Sequence, residues 1–144
     1  MTCDTPCTAA GWQSVLDLYE CATSNIDDLD WVRATMLEAA RVAQATIITD
    51  SFHRFEPHGL SGVVVIAESH IAIHTWPERR YAAIDVFTCN SKLLVEACAQ
   101  FLARAFVAGR VRKTDFTRGE HMILKAVPDT QSACDFPRTW QEVA

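Results

Sequence analysis

The sequence predicts an α+β fold, a two-layer α/β sandwich with a mainly antiparallel sheet and helices on one face. Two observations carry that reading. The chain runs strand, helix, several strands, helix, two strands, so strands dominate. Only two stretches, near 29–43 and 92–108, show the apolar spacing of amphipathic helices, and so few helices cover one face of such a sheet. The other face needs a partner if it is apolar, which points to a dimer.

The elements follow in order. Residues 11–20 alternate from Val15 to Tyr19 as a first strand. Asn25, Asp27 and Asp28 offer capping side chains for a helix from Leu29 to Ala43, whose stripe is Val32, Met36, Ala39, Ala40 and Ala43. Ala45–Thr49 is short and β-branched, hence a strand, and Phe52–Gly59 reads as a loop broken by Pro57 and Gly59. Gly62–Ala67, His70–Thr75 and Tyr81–Phe87 are strands, with a turn at Trp76–Arg80 between the last two. Ser91 can cap a second helix from Lys92 to Ala108, and Gly109 stops it. Val111–Phe116 and Met122–Ala126 close the sheet around a turn at Arg118-Gly119. The domain therefore spans 1–127, followed by a tail over 128–144.

Composition excludes several classes. The 144 residues are 49% hydrophobic and 22% charged, as in a single globular domain with a real core. The net charge of -5 and the brevity of the Arg110, Arg112, Lys113 cluster give no footprint for nucleic acid. No apolar run is long enough to span a bilayer, and the start has no basic region followed by an apolar stretch. A cytoplasmic protein follows, whose six cysteines are reduced thiols. Cys3 and Cys7 lack a second close pair at zinc-site spacing, so no metal is expected.

The unusual stretch runs from Ser61 to Glu78. Buried-strand residues end in Glu68-Ser69-His70, and the next strand sets His70, Ala72 and His74 on one face. Polar groups between apolar strands need partners or a function. They could form a hairpin in which Glu68, Ser69 and His70 satisfy one another. They could equally form a nucleophile site, with the Ser69 hydroxyl activated by His74 as base. The residues alone favour the first.

Glu68-Ser69-His70, then Ile73-His74-Thr75-Trp76-Pro77-Glu78, then Tyr81 through Cys89, resemble the signature of the prokaryotic S-adenosylmethionine decarboxylase family. Ser61, Ser69, His74 and Cys89 fall at that family's intervals, and weaker similarity runs to about residue 126. The resemblance implies a self-cleaving enzyme. Ser69 would attack the carbonyl of Glu68, and the chain would part into 1–68 and 69–144. A pyruvoyl group made from Ser69 would serve as cofactor, forming a Schiff base with the substrate amine in place of pyridoxal phosphate. His74 would be the base in maturation, Ser61 would hold the ester-forming geometry, and Cys89 would donate a proton after loss of carbon dioxide. Phe55 would stack on adenine and Glu78 would accept from the ribose hydroxyls. The resemblance also implies a homodimer of the cleaved unit and a product used for polyamine (spermidine) synthesis.

The chain departs from the family's usual residues at Gly11-Trp12-Gln13, at Tyr19-Glu20-Cys21 (usually Tyr-Gly-Cys), at Arg79-Arg80 (usually Tyr-Gly) and at Asn90 (usually Gly). Relatives on this scaffold decarboxylate arginine or ornithine with the same cofactor. That activity and a non-cleaving binding homologue are the alternatives.

Overall fold

The structure, a computed structural model, describes residues 10–89 and 93–119. Six strands form one sheet in the order β2-β3-β4-β5-β1-β6: β1 Gly11–Tyr19, β2 Thr46–Arg54, β3 Leu60–Ala67, β4 Ser69–Trp76, β5 Tyr81–Thr88 and β6 Arg110–Arg118. Every pair is antiparallel. Helices α1 (Leu29–Val42) and α2 (Val95–Ala105) pack on one face, as the sequence predicts.

Strand alternation explains the layering. Leu16, Leu18, Val64, Ile66, Ile71, Ile73, Ile84 and Val86 point to the helices and are almost wholly buried. They meet Val32, Met36, Ala39 and Ala40 of α1, with Cys98, Leu102 and Phe106 at α2, in one core. Burying each large aliphatic side chain contributes about 1.5–3 kcal/mol, which is what fixes the register against a one-residue slip. Trp31 meets Phe106 edge to face at 5.2 Å and ties the helices together.

Of the three capping candidates, Asp28 is the cap, accepting from the Trp31 N–H at 3.0 Å. Asp27 is used elsewhere, as described below. Helix α2 ends earlier than the Ala108 expected. Val107 takes a left-handed φ of 49°, and its N–H and that of Ala108 bond back to Arg104 and Ala103. Gly109 instead starts the return to β6 through a bond to Tyr19 O.

The largest departure from the sequence reading is β2, which runs to Arg54 and absorbs the first three residues of the expected Phe52–Gly59 loop. Phe52 lies across Gly62 on β3, so close that a Cβ on Gly62 would fall 2.0 Å from the ring. That ring-over-glycine contact and the Arg54↔Leu60 pairing extend the hairpin and leave residues 55–59 as its loop. The expected strand Met122–Ala126, the cap Ser91, the departure at Asn90 and the tail 128–144 lie outside the described residues.

No described helix covers the opposite sheet face. One row across it reads His53, Ser61, His74, Ala83, Asp17, Arg112, one residue from each strand. Beside that row Trp76, Tyr81 and Tyr19 stack in sequence, with centroids 5.3 and 5.2 Å apart, and the Arg110 guanidinium caps Tyr19 at 4.0 Å. Lys113 is paired with Glu96 and Asp115 rather than free to form a basic patch. Among the described residues, no helix is long and apolar enough to cross a membrane.

Candidate active site

The β3–β4 hairpin brings the first polar pair together. Val64, Ile66, Ile71 and Ile73 are buried against the helices, so the residues between them project to the uncovered face. The register sets Ser61 opposite His74, with Oγ and Nδ1 2.7 Å apart. A hydrogen bond of that length fixes the imidazole on a rigid ladder.

The second pair sits at the other end of β4. Ser69 pairs with Thr88, the last residue of β5, which brings Cys89 alongside. Ser69 Oγ lies 3.8 Å from Cys89 Sγ, and the Cys89 backbone N–H donates to the Glu68 carbonyl oxygen at 3.3 Å. Ser69 has a φ of 131°, a backbone region that side chains other than glycine rarely occupy. The Glu68–Ser69 peptide thus carries a polarised carbonyl and a strained serine. Cys89 is exposed.

Phe55 and Glu78 come together with the first pair. A cavity of about 300 Å³ lies between the 55–59 loop and the end of β4, lined by Phe55, His58, Ser61, His74, Trp76 and Glu78. Phe55 is 48% and Trp76 38% exposed, so both offer ring surface to a ligand. The loop is pinned from below. Asp27 accepts from the Gly59 N–H and from Arg54, both at 2.8 Å, and Phe55 N–H donates to Gly59 O. Partial burial opposes the charge on Asp27, but the bonds from Arg54 and Gly59 outweigh it and hold the carboxyl below its usual range.

His58, Trp76 and Asp27 were not among the sequence candidates. Trp76 follows His74 in the same alternation and could have been found by it. The roles of His58 and Asp27 depend on contacts across 20 and 32 residues, which no local pattern reveals.

The seven predicted site residues therefore form two groups: Phe55, Ser61, His74 and Glu78 in one, Glu68, Ser69 and Cys89 in the other. Ser69 and His74 are five residues apart on β4, about 16 Å at the rise of a strand. Within one chain the expected base does not reach the expected nucleophile. Arg79 and Arg80 are exposed in the turn after β4, outside the cavity lining.

A larger cavity of about 930 Å³ opens beside the start of α2, lined by Trp12, Leu94, Lys113, Asp115 and Phe116 among others. It holds none of these seven residues, and the smaller cavity has the convergent polar groups that chemistry requires.

A family model described as S-adenosylmethionine decarboxylase matches residues 12–119. The chain is 51% identical over 110 residues to an S-adenosylmethionine decarboxylase proenzyme of Acidithiobacillus ferrooxidans, covering 76% of this chain and 83% of that one. It is 60% identical over 88 residues to a protein of the same name from Pseudomonas aeruginosa, covering 61% of this chain and 55% of that one. The fold matches the crystal structure of the adenosylmethionine decarboxylase from Aquifex aeolicus VF5 with a TM-score of 0.72 and 31% identity, over 86% of this chain and 98% of that one. The chain belongs to the S-adenosylmethionine decarboxylase family.

Proposed function

We propose that this protein is a self-cleaving, pyruvoyl-dependent decarboxylase of S-adenosylmethionine, parting between Glu68 and Ser69 and acting as a homodimer. The observation that carries the proposal is the Glu68 carbonyl, held by the Cys89 N–H beside the Ser69 hydroxyl. The names of the relatives support the activity and the existence of a precursor.

In maturation, Ser69 Oγ gives its proton to a base and adds to the Glu68 carbonyl carbon. The Cys89 N–H stabilises the oxyanion that forms there. Collapse breaks the Glu68–Ser69 C–N bond and leaves an ester. Elimination then releases Glu68 as a carboxylate and leaves dehydroalanine at position 69, which takes up water and loses ammonia to give the pyruvoyl group. Relief of the positive φ at Ser69 favours the first step.

The pyruvoyl group supplies an electrophilic ketone and an electron sink for decarboxylation. The site's residues suit it. Ser69 stands at a sheet end open to solvent, and the Cys89 thiol 3.8 Å away can deliver a proton to carbon. Phe55 offers a ring face to adenine, and Glu78 an acceptor to the ribose hydroxyls. The product carries an aminopropyl group for polyamine synthesis.

The split between the two groups supports the dimer. A second copy packed on the uncovered sheet face with antiparallel β4 strands brings its Ser61–His74 pair to this chain's Ser69–Cys89 pair, and vice versa, an isologous arrangement. The half-buried Val15, Val63, Val65, Ala72 and Phe87 give that face apolar surface to bury.

No observation favours arginine or ornithine as substrate, or a non-cleaving role. Intact mass spectrometry of the denatured protein tests the proposal. Two fragments parting between Glu68 and Ser69 are expected, the second lighter by one ammonia than a chain starting in serine. A single full-length species that never cleaves would refute it.

A further inference from the structure

The sequence candidates and the family resemblance leave His58 without a role. It lies on the 55–59 loop, facing the turn that follows β4 across the small cavity. Its Nε2 is 3.0 Å from Glu78 Oε2, and the two side chains are 41% and 42% exposed. A pair this exposed contributes little to stability. Its position is what matters, because it bridges the two walls of the cavity between Phe55 and Trp76.

We infer that His58 is a positioning residue that pre-orients the Glu78 carboxylate for the hydroxyls of a bound nucleoside, and so sets substrate affinity. This rests on the proposal that Glu78 meets the ribose.

Glu78 sits in a short 3-10 turn, and a glutamate there loses rotamer freedom whenever it is held by a ligand. Among the described residues, His58 is its one ion-pair or hydrogen-bond partner. That bond occupies Oε2 and leaves Oε1 to accept from a ligand. Fixing the carboxylate before binding spares the ligand the ordering cost. His58 can do this because its own loop is held, by Asp27 on the Gly59 N–H and by the Phe55-to-Gly59 backbone bond. The charged neighbours of His58 are Glu78 and Asp27, and Asp27 in turn is paired with Arg54. The arrangement is therefore a relay of fixed geometry running from Asp27 through the loop to Glu78.

The test uses self-processed protein, calorimetric binding of adenosine and of 2′,3′-dideoxyadenosine, and steady-state turnover of S-adenosylmethionine. Wild type is expected to bind adenosine about tenfold more tightly than the dideoxy analogue, the worth of one hydrogen bond to a charged group. In His58→Ala, adenosine affinity falls about five- to tenfold while dideoxyadenosine affinity stays within about twofold. KM rises by the same factor and kcat moves less than about twofold, the signature of lost ground-state binding. His58→Gln, whose amide can still donate to Glu78, recovers part of the discrimination, and it carries the comparison if His58→Ala does not mature. If His58→Ala discriminates as well as wild type while Glu78→Gln does not, the inference fails and the ribose site stands. If wild type itself makes no distinction between the two nucleosides, the ribose site fails and the inference with it.

Discussion

Ser61 Oγ and His74 Nδ1 stand 2.7 Å apart across the β3–β4 ladder, whereas Ser69 on the same strand as His74 is paired with Cys89 instead. Two half-sites about 16 Å apart along one strand can act on one bond only if two copies share them. Co-expression of Ser69→Ala and His74→Ala chains tests this. Each variant alone is expected to stay full length. In the mixed dimer, one site unites the Ser69 of the His74→Ala chain with the His74 of the Ser69→Ala chain. The His74→Ala chain alone should then cleave, as tags of different mass on the two chains would report. No cleavage in the mixture would place the base within the same chain and sink the shared site.

Cys89 has two functional groups at the site, and they can be separated. Cys89→Ala keeps the backbone N–H that holds the Glu68 carbonyl but loses the thiol. Self-cleavage should still go to completion by mass spectrometry. Decarboxylation, followed as carbon dioxide release, should fall by about 10²–10⁴, the usual worth of a proton donor. A variant that neither cleaves nor turns over would show the thiol to be needed in maturation as well.

The layers were legible in the sequence because they depend on alternation: Val64, Ile66, Ile71 and Ile73 announce both the strands and their buried face. The β2 boundary was not, since Pro57 and Gly59 read as a loop while the Phe52 ring over Gly62 extends the ladder by tertiary contact. The site divides in the same way. Ser61, Ser69, His74 and Cys89 were reached through the family resemblance, but their partition into two pairs was not, because register rather than spacing decides which side chains meet. The departures from the family's residues gain a physical meaning in the structure. Glu20 and Arg80, where glycine is usual, have φ of 56° and 48°.

Arg80 gives a stability prediction. Its left-handed backbone closes the 3-10 turn through a bond from its N–H to Pro77 O, and its carbonyl accepts from Cys21 N–H. Both bonds are made by the backbone and survive substitution. The exposed side chain makes no ion pair among the described residues. Arg80→Gly removes a steric cost of about 1–2 kcal/mol, offset in part by about 0.5–1 kcal/mol of added chain entropy in the unfolded state. A gain of up to about 1 kcal/mol, or about 2–5 °C in Tm, is expected by calorimetry. A lower Tm would mean that the guanidinium contributes more than the backbone strain costs.

Asp27 links stability to pH. Partial burial works against its charge, but the bonds from Arg54 and the Gly59 N–H prevail, so its carboxyl titrates lower in the folded chain than in the unfolded one, where it lies near 3.9. A depressed carboxyl stabilises the fold above the unfolded value, and that contribution is lost as pH falls from about 4 through the lower folded value. Asp27→Asn keeps an oxygen for the Gly59 N–H but gives up the ion pair. Urea unfolding should therefore show the variant less stable than wild type at pH 7, with the gap closing on acidification below about pH 4. A gap that persists unchanged at low pH would mean that Asp27 acts through its shape in the loop and not through its charge. Because the same loop carries Phe55 and His58, the variant should also raise KM at pH 7, joining the acid stability of the fold to the affinity of the site.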